Sequence, residues 1–124
     1  MHKTCLKKKI DSLLSVPSAS TEWYKKKGLD NYLNLYKSAN KLKYERGEFL
    51  SLYKIVCWYM FKGEYNMAIK YIDKIEALPM KDLLNLKTKV LAMQDKSIAY
   101  INLGFYDDAE TIIERSIIES NKLK

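Results

Sequence analysis

Apolar positions recur along this chain at steps of three and four, the spacing that places side chains on one face of a helix. Residues 3–15 give a first helix with Leu6, Ile10, Leu13 and Leu14 on one side. A Ser- and Pro-containing break follows at 15–20, and Ser20 or Thr21 then caps a short helix that Gly28 stops. Asp30 caps a helix over about 31–45, which Gly47 ends. The segment at about 49–61 carries Phe49, Leu52, Val56 and Tyr59 on one face but is apolar nearly all round, so it calls for neighbours on more than one side. Tyr65, Ala68, Ile72 and Ile75 define a helix over about 65–78, ending near Pro79. A longer helix over about 82–102 shows Leu83, Leu86, Val90, Met93, Ser97 and Tyr100, widened to a face by Leu84, Leu91 and Ile98. The last helix, about 105–121, turns Tyr106, Ala109, Ile113 and Ser116 inward, with Ile112 and Ile117 beside them. No segment alternates with period two between turn signals, so the expected fold class is all-α, as antiparallel helical hairpins stacked in a short array.

One pattern is used twice. Gly63-Glu64-Tyr65-Asn66-Met67-Ala68 and Gly104-Phe105-Tyr106-Asp107-Asp108-Ala109 both read Gly-x-aromatic-x-x-Ala, and they lie 41 positions apart between amphipathic helices. Glycine permits the tight reversal, the aromatic packs across the helix pair, and the alanine lets the helices approach. Repetition at this period points to stacked supersecondary units.

These residues resemble the turn and second-helix positions of a tetratricopeptide repeat. Gly63, Tyr65, Ala68 and Ile72 match in one unit and Gly104, Tyr106, Ala109 and Ile113 in the next, over about residues 49–121. Tyr59, Tyr100 and Ser97 fit positions of the first helices. The period is longer than the family's ~34 residues, Val56 and Ile75 stand at small-residue sites, and Lys96 falls where a leucine is expected, so the repeats are degenerate. The resemblance implies a concave groove lined by the first helix of each unit. Carried over by position, its wall holds Tyr53, Cys57, Met60, Gln94, Ile98 and Asn102, with Lys54 and Asp95 nearby. A mixed lining of this kind suits an extended or helical peptide.

Charge adds a second element. Residues 1–47 hold eleven Lys and Arg against four acids, whereas residues 48–124 hold eleven of each, so the whole net charge of +7 sits in the N-terminal third. Such asymmetry favours an acidic or nucleic-acid partner for that part. Ile10 to Val16, a Ser-rich turn, and Thr21 to Gly28 look like the second and third helices of a helix-turn-helix. Lys7, Lys8, Lys9, Lys25, Lys26 and Lys27 are then the candidate phosphate contacts. Together the two resemblances are similar to a reduced form of the peptide-sensing regulators of Gram-positive bacteria. The expected division is a basic helical segment at 1–30 and a repeat region at 31–124, within one compact domain.

Candidate chemistry changes this little. The sole histidine is His2, so Ser–His, Cys–His and His-ligated metal arrangements lack a member. No cofactor, metal site or catalytic constellation is implied, and the four glycines each read as helix stops. Asp107, Asp108, Glu110 and Glu114 complement the dipole at a helix start. Cys5 and Cys57 have no metal-like spacing and suit a reducing, cytoplasmic setting. No apolar run approaches the ~20 residues needed to span a bilayer. The expectation is a non-catalytic adaptor or regulator that binds a protein or peptide; the alternative is a small basic nucleic-acid-binding regulator. A homodimer that hides the apolar ends of the array is a further expectation.

Overall fold

A computed structural model describes residues 2–14, 25–79 and 82–123. Six helices run in order: α1 (His2–Leu14), α2 (Lys26–Lys41), α3 (Glu45–Phe61), α4 (Tyr65–Ala77), α5 (Leu83–Leu103) and α6 (Tyr106–Asn121). The described residues contain no strand. The fold is all-α.

Each helix packs on the next in sequence, and α3 also touches α1 on one side and α5 on the other. The even-numbered helices do not meet one another among the described residues. The molecule is therefore a row of odd-numbered helices with the even-numbered ones laid along one side of it, that is, antiparallel hairpins stacked in sequence. Helix α3 is the centre of this row, which is why it is apolar nearly all round. Phe49, Leu52, Ile55 and Val56 are fully buried there, against Ala68, Ile72 and Ile75 of α4, Leu29 of α2 and Ala92 of α5.

Three of the reversals use one device. At the end of α3, Gly63 takes φ +72° and the Glu64 N–H donates to the Tyr59 carbonyl. At the end of α5, Gly104 takes φ +84° and the Phe105 N–H donates to the Tyr100 carbonyl. The left-handed residue followed by a six-to-one hydrogen bond satisfies carbonyls that the helix end leaves orphaned. The third example closes α2: Lys43 takes φ +54° and the Tyr44 N–H donates to the Ala39 carbonyl. A lysine there gives no signal in the sequence.

Two expected helix stops are corrected. Gly28 lies buried inside the first turns of α2, which runs on through Asp30, so neither residue marks a boundary and the 30/31 division falls within a helix. Gly47 lies in the first turn of α3, not at the end of α2. A Cβ there would stand 2.8 Å from the Tyr44 ring and 3.0 Å from the Ala39 Cβ. Its function is close packing of the α2–α3 reversal.

Helix α1 is docked rather than free. Ile10 and Leu14 bury against Ala39, beside Leu35, Leu42, Tyr44 and Leu50, while Leu6 and Leu13 face outward, contrary to the expected single apolar face. The Tyr44 hydroxyl donates to Asp11 Oδ1 at 2.7 Å, and Lys7 Nζ stands 5.2 Å over the Tyr44 ring. Burial, then the Asp11 hydrogen bond, push the Tyr44 hydroxyl up to about 12.

Candidate functional site

The row α1–α3–α5 presents one face on which no other described helix packs. Helices α3 and α5 run parallel in register. Arg46 Nη1, in the first turn of α3, lies 3.0 Å from Thr88 Oγ1, a residue 42 positions on, and 3.2 Å from both the Leu84 carbonyl and Asn85 Oδ1. Two turns higher, Tyr53 on α3 hydrogen-bonds Asp95 on α5, at the same spacing. Each contact fixes the height of α5 against α3.

Tyr53, Cys57 and Asp95 form a half-buried polar cluster in this seam. The Tyr53 hydroxyl donates to the Asp95 carboxylate and also hydrogen-bonds Cys57. Burial, followed by the charge of Asp95, pushes the Cys57 thiol up to about 11, and the Tyr53 hydrogen bond and then Lys54 draw it only partly back. The thiol is therefore neutral near pH 7 and a poor nucleophile. Burial also raises the Asp95 carboxyl above its ordinary range, against the opposing hydrogen bond from Tyr53. Asp95 thus costs the fold something in its charged form.

That cost makes a prediction. A carboxyl whose folded value lies above its unfolded value contributes most at pH below the unfolded value and loses that contribution as pH rises through the folded one. Asp95→Asn, which still accepts from Tyr53, is expected to raise the thermal midpoint by a few degrees at pH 7 and not at pH 3. Melting curves at the two pH values check this. An unchanged or lowered midpoint at pH 7 would show that the carboxylate is not under strain.

Beside the cluster, Leu84, Leu91 and Ile98 stand at seven-residue steps along the outer side of α5 and are 61%, 40% and 47% exposed. The expected core face of this helix is corrected here: Val90, Met93 and Ser97 are buried, but these three are not, and neither is Leu83. Phe61 at the end of α3 is likewise exposed.

Of the residues assigned to the groove from the repeat positions, Gln94, Ile98 and Asn102 are exposed, and Tyr53, Lys54, Cys57 and Met60 are half-buried. The structure brings Tyr53 and Cys57 together with Asp95. Asn102 spends its side-chain N–H on the Ile98 carbonyl of its own helix, and Met60 packs against the central core. Leu84, Leu91 and Phe61 were not assigned to the groove. Their spacing reads as core, and only the absence of a described helix over that face distinguishes them.

The lysines do not form one surface. Lys25, Lys26 and Lys27 are exposed at the start of α2, where the Lys25 carbonyl accepts from Trp58 Nε1 at 3.1 Å. Lys7 stands over Tyr44, past the other end of α2; Lys8 and Lys9 follow it on α1, exposed. A helix of 16 residues separates the two sets, ~24 Å at 1.5 Å per residue. The residues of the helix-turn-helix resemblance at 15–24 lie outside the described residues.

Among the described residues, no three His, Cys, Asp or Glu gather as metal ligands, and no helix is long and apolar enough to cross a membrane. The fold and site together define a small stack of helical hairpins with an open, partly apolar face along its odd-numbered helices. The chain matches no protein-family model, no curated protein and no solved structure.

Proposed function

We propose that this protein is a non-catalytic adaptor or regulator whose α3–α5 face binds a peptide or a short amphipathic segment of another protein. The observation that carries the reading is the exposed Leu84–Leu91–Ile98 stripe beside the Tyr53–Cys57–Asp95 cluster. Side chains at seven-residue steps give a linear track about 20 Å long, the length of four helical turns. An apolar track with a few placed polar groups is the usual form of a peptide groove. Asp95 adds direction. A carboxylate held half-buried at a cost to stability has a strong tendency to accept a cation that replaces its lost water, so the preferred ligand carries a Lys, Arg or free amino group beside its apolar residues.

The tetratricopeptide-like positions around Gly63 and Gly104 support the same reading, since that resemblance places a groove on the first helix of each unit. The nucleic-acid alternative is less supported, because its two lysine sets sit at opposite ends of α2.

The test is selection from a random-peptide display library, followed by affinity measurement of the selected peptides by fluorescence polarisation. Leu91→Lys with Ile98→Lys is expected to weaken binding at least ~30-fold, from two lost apolar contacts, without loss of helicity. Asp95→Asn is expected to weaken peptides bearing a cation and to leave neutral ones unchanged. Equal binding by wild type and the double variant would remove the groove.

A further inference from the structure

At the end of the stack, α5 and α6 carry a further apolar surface, which lies on the same open side as the groove stripe and next to it. On α6 the buried stripe is Ala109, Ile112 and Ser116. Tyr106, Ile113 and Ile117, expected to lie on or beside the inward face, instead stand about a quarter-turn from that stripe and are 68%, 40% and 56% exposed. On α5, Leu83 and Ile101 occupy one line along the helix, five turns apart, and are 60% and 45% exposed. Lys96 turns to Asp73 on α4 and Asp95 to Tyr53 on α3. With α6 antiparallel beside α5, the winding of the two helices sets both apolar lines on one side of the pair, away from α4.

We infer that this α5–α6 face is the interface of a twofold-symmetric homodimer. Three observations select a second copy as the occupant. First, the exposed parts of Leu83, Ile101, Tyr106, Ile113 and Ile117 sum to roughly 500 Å², in the upper part of the range for a monomer's largest apolar patch and close to the apolar share of a standard interface of ~800 Å² per partner. Second, the face carries charges of both signs, Lys87 on α5 and Glu110 on α6, both exposed. A copy of the same face therefore offers each charge an opposite one. Third, the other end of the stack, formed by α1 and α2, exposes just two large apolar side chains among the described residues, Leu6 and Leu13, set among the exposed Lys8, Lys9, Asp30, Lys37 and Lys41. A head-to-tail contact would set apolar side chains on that polar surface, whereas pairing like ends buries them against one another and closes the assembly.

The test is sedimentation equilibrium of the full chain from low to high micromolar concentration. The wild type is expected to approach the dimer mass and to stop there. Ile113→Glu with Ile117→Glu is expected to weaken self-association at least ~100-fold, from two apolar contacts replaced by charges, at unchanged helicity by circular dichroism. Tyr106→Lys, at the other end of the stripe, is expected to do the same. Ile118→Glu is expected to leave the dimer intact, because Ile118 is exposed on a different side of α6. A wild type that stays monomeric, as a face reserved for a different protein would give, overturns the inference. So does a mass that grows past the dimer, or dissociation by Ile118→Glu equal to that of the stripe variants.

Discussion

Phe49→Ala is expected to remove about 3–5 kcal/mol, the cost of emptying a large core site. A domain of this size has on the order of 5–15 kcal/mol in total, so the variant would unfold near or a little above room temperature. The reason is position. Phe49 has no exposed surface and lies in the helix that touches α1, α2, α4 and α5, so no single neighbour can collapse to fill the space. Leu91→Ala, a change of similar chemistry on an exposed stripe, is expected to alter stability by less than ~0.5 kcal/mol. Urea denaturation of the two variants checks the contrast. Equal losses would mean that the outer side of α5 is buried and that the open face does not exist.

Lys96→Ala is expected to cost about 2–3 kcal/mol, less than the ~3–5 kcal/mol of a fully buried pair losing one partner, because Asp73 stays largely exposed. The lysine is buried on α5, 2.7 Å from Asp73 and 3.5 Å from Glu76 of α4. Glu76 is mostly buried, and its Oε1 has no hydrogen-bond partner, so removing the ammonium leaves a carboxylate without compensation. The double change Lys96→Leu with Glu76→Leu is expected to recover most of the loss, since apolar replacement of a whole pair is often neutral. The pH dependence carries a definite sign. Burial lowers the lysine's affinity for its proton, but the Asp73 hydrogen bond and the charges of Glu76 and Asp73 outweigh it, so the net shift is upward from 10.5. A raised value in the fold means that this stabilisation is complete below pH 10.5 and is lost as pH climbs through the folded value. Denaturation curves between pH 8 and pH 12 would show a steeper loss for wild type than for the double variant.

The helices and two of the three like reversals were legible because the apolar spacing is regular and because Gly63 and Gly104 supply the left-handed turn. The α2–α3 reversal was not legible, since Lys43 occupies the same conformation with a side chain that the spacing does not flag. Gly28 and Gly47 misled for the converse reason. Gly47 is demanded by contact with the Tyr44 ring and with Ala39, which are neighbours only once the hairpin has closed. Facing errors on α1, α5 and α6 share one cause. Helical periodicity shows that a helix has an apolar side, but how much of that side is covered depends on the number of packed neighbours. Helix α6 has one such neighbour among the described helices, so the narrow stripe of Ala109, Ile112 and Ser116 is enough to dock it.

The candidate site was half legible. Tyr53 and Cys57 followed from repeat positions and Asp95 from its place beside them. Their convergence depends on the parallel register of α3 and α5, which Arg46 and its contacts to Leu84, Asn85 and Thr88 help to fix. No feature of the local sequence announces that register. Lys96 shows the same point. It departs from the repeat pattern where a leucine is expected, and its acidic partners lie on a different helix.

The most direct measurement is a two-dimensional NMR titration of the protein with a peptide selected from the display library. The account predicts that shifts concentrate on Tyr53, Cys57, Leu91, Asp95 and Ile98, with the Lys25–Lys27 and Lys7–Lys9 signals unmoved. Shifts confined to the lysines, and abolished by salt, would contradict it.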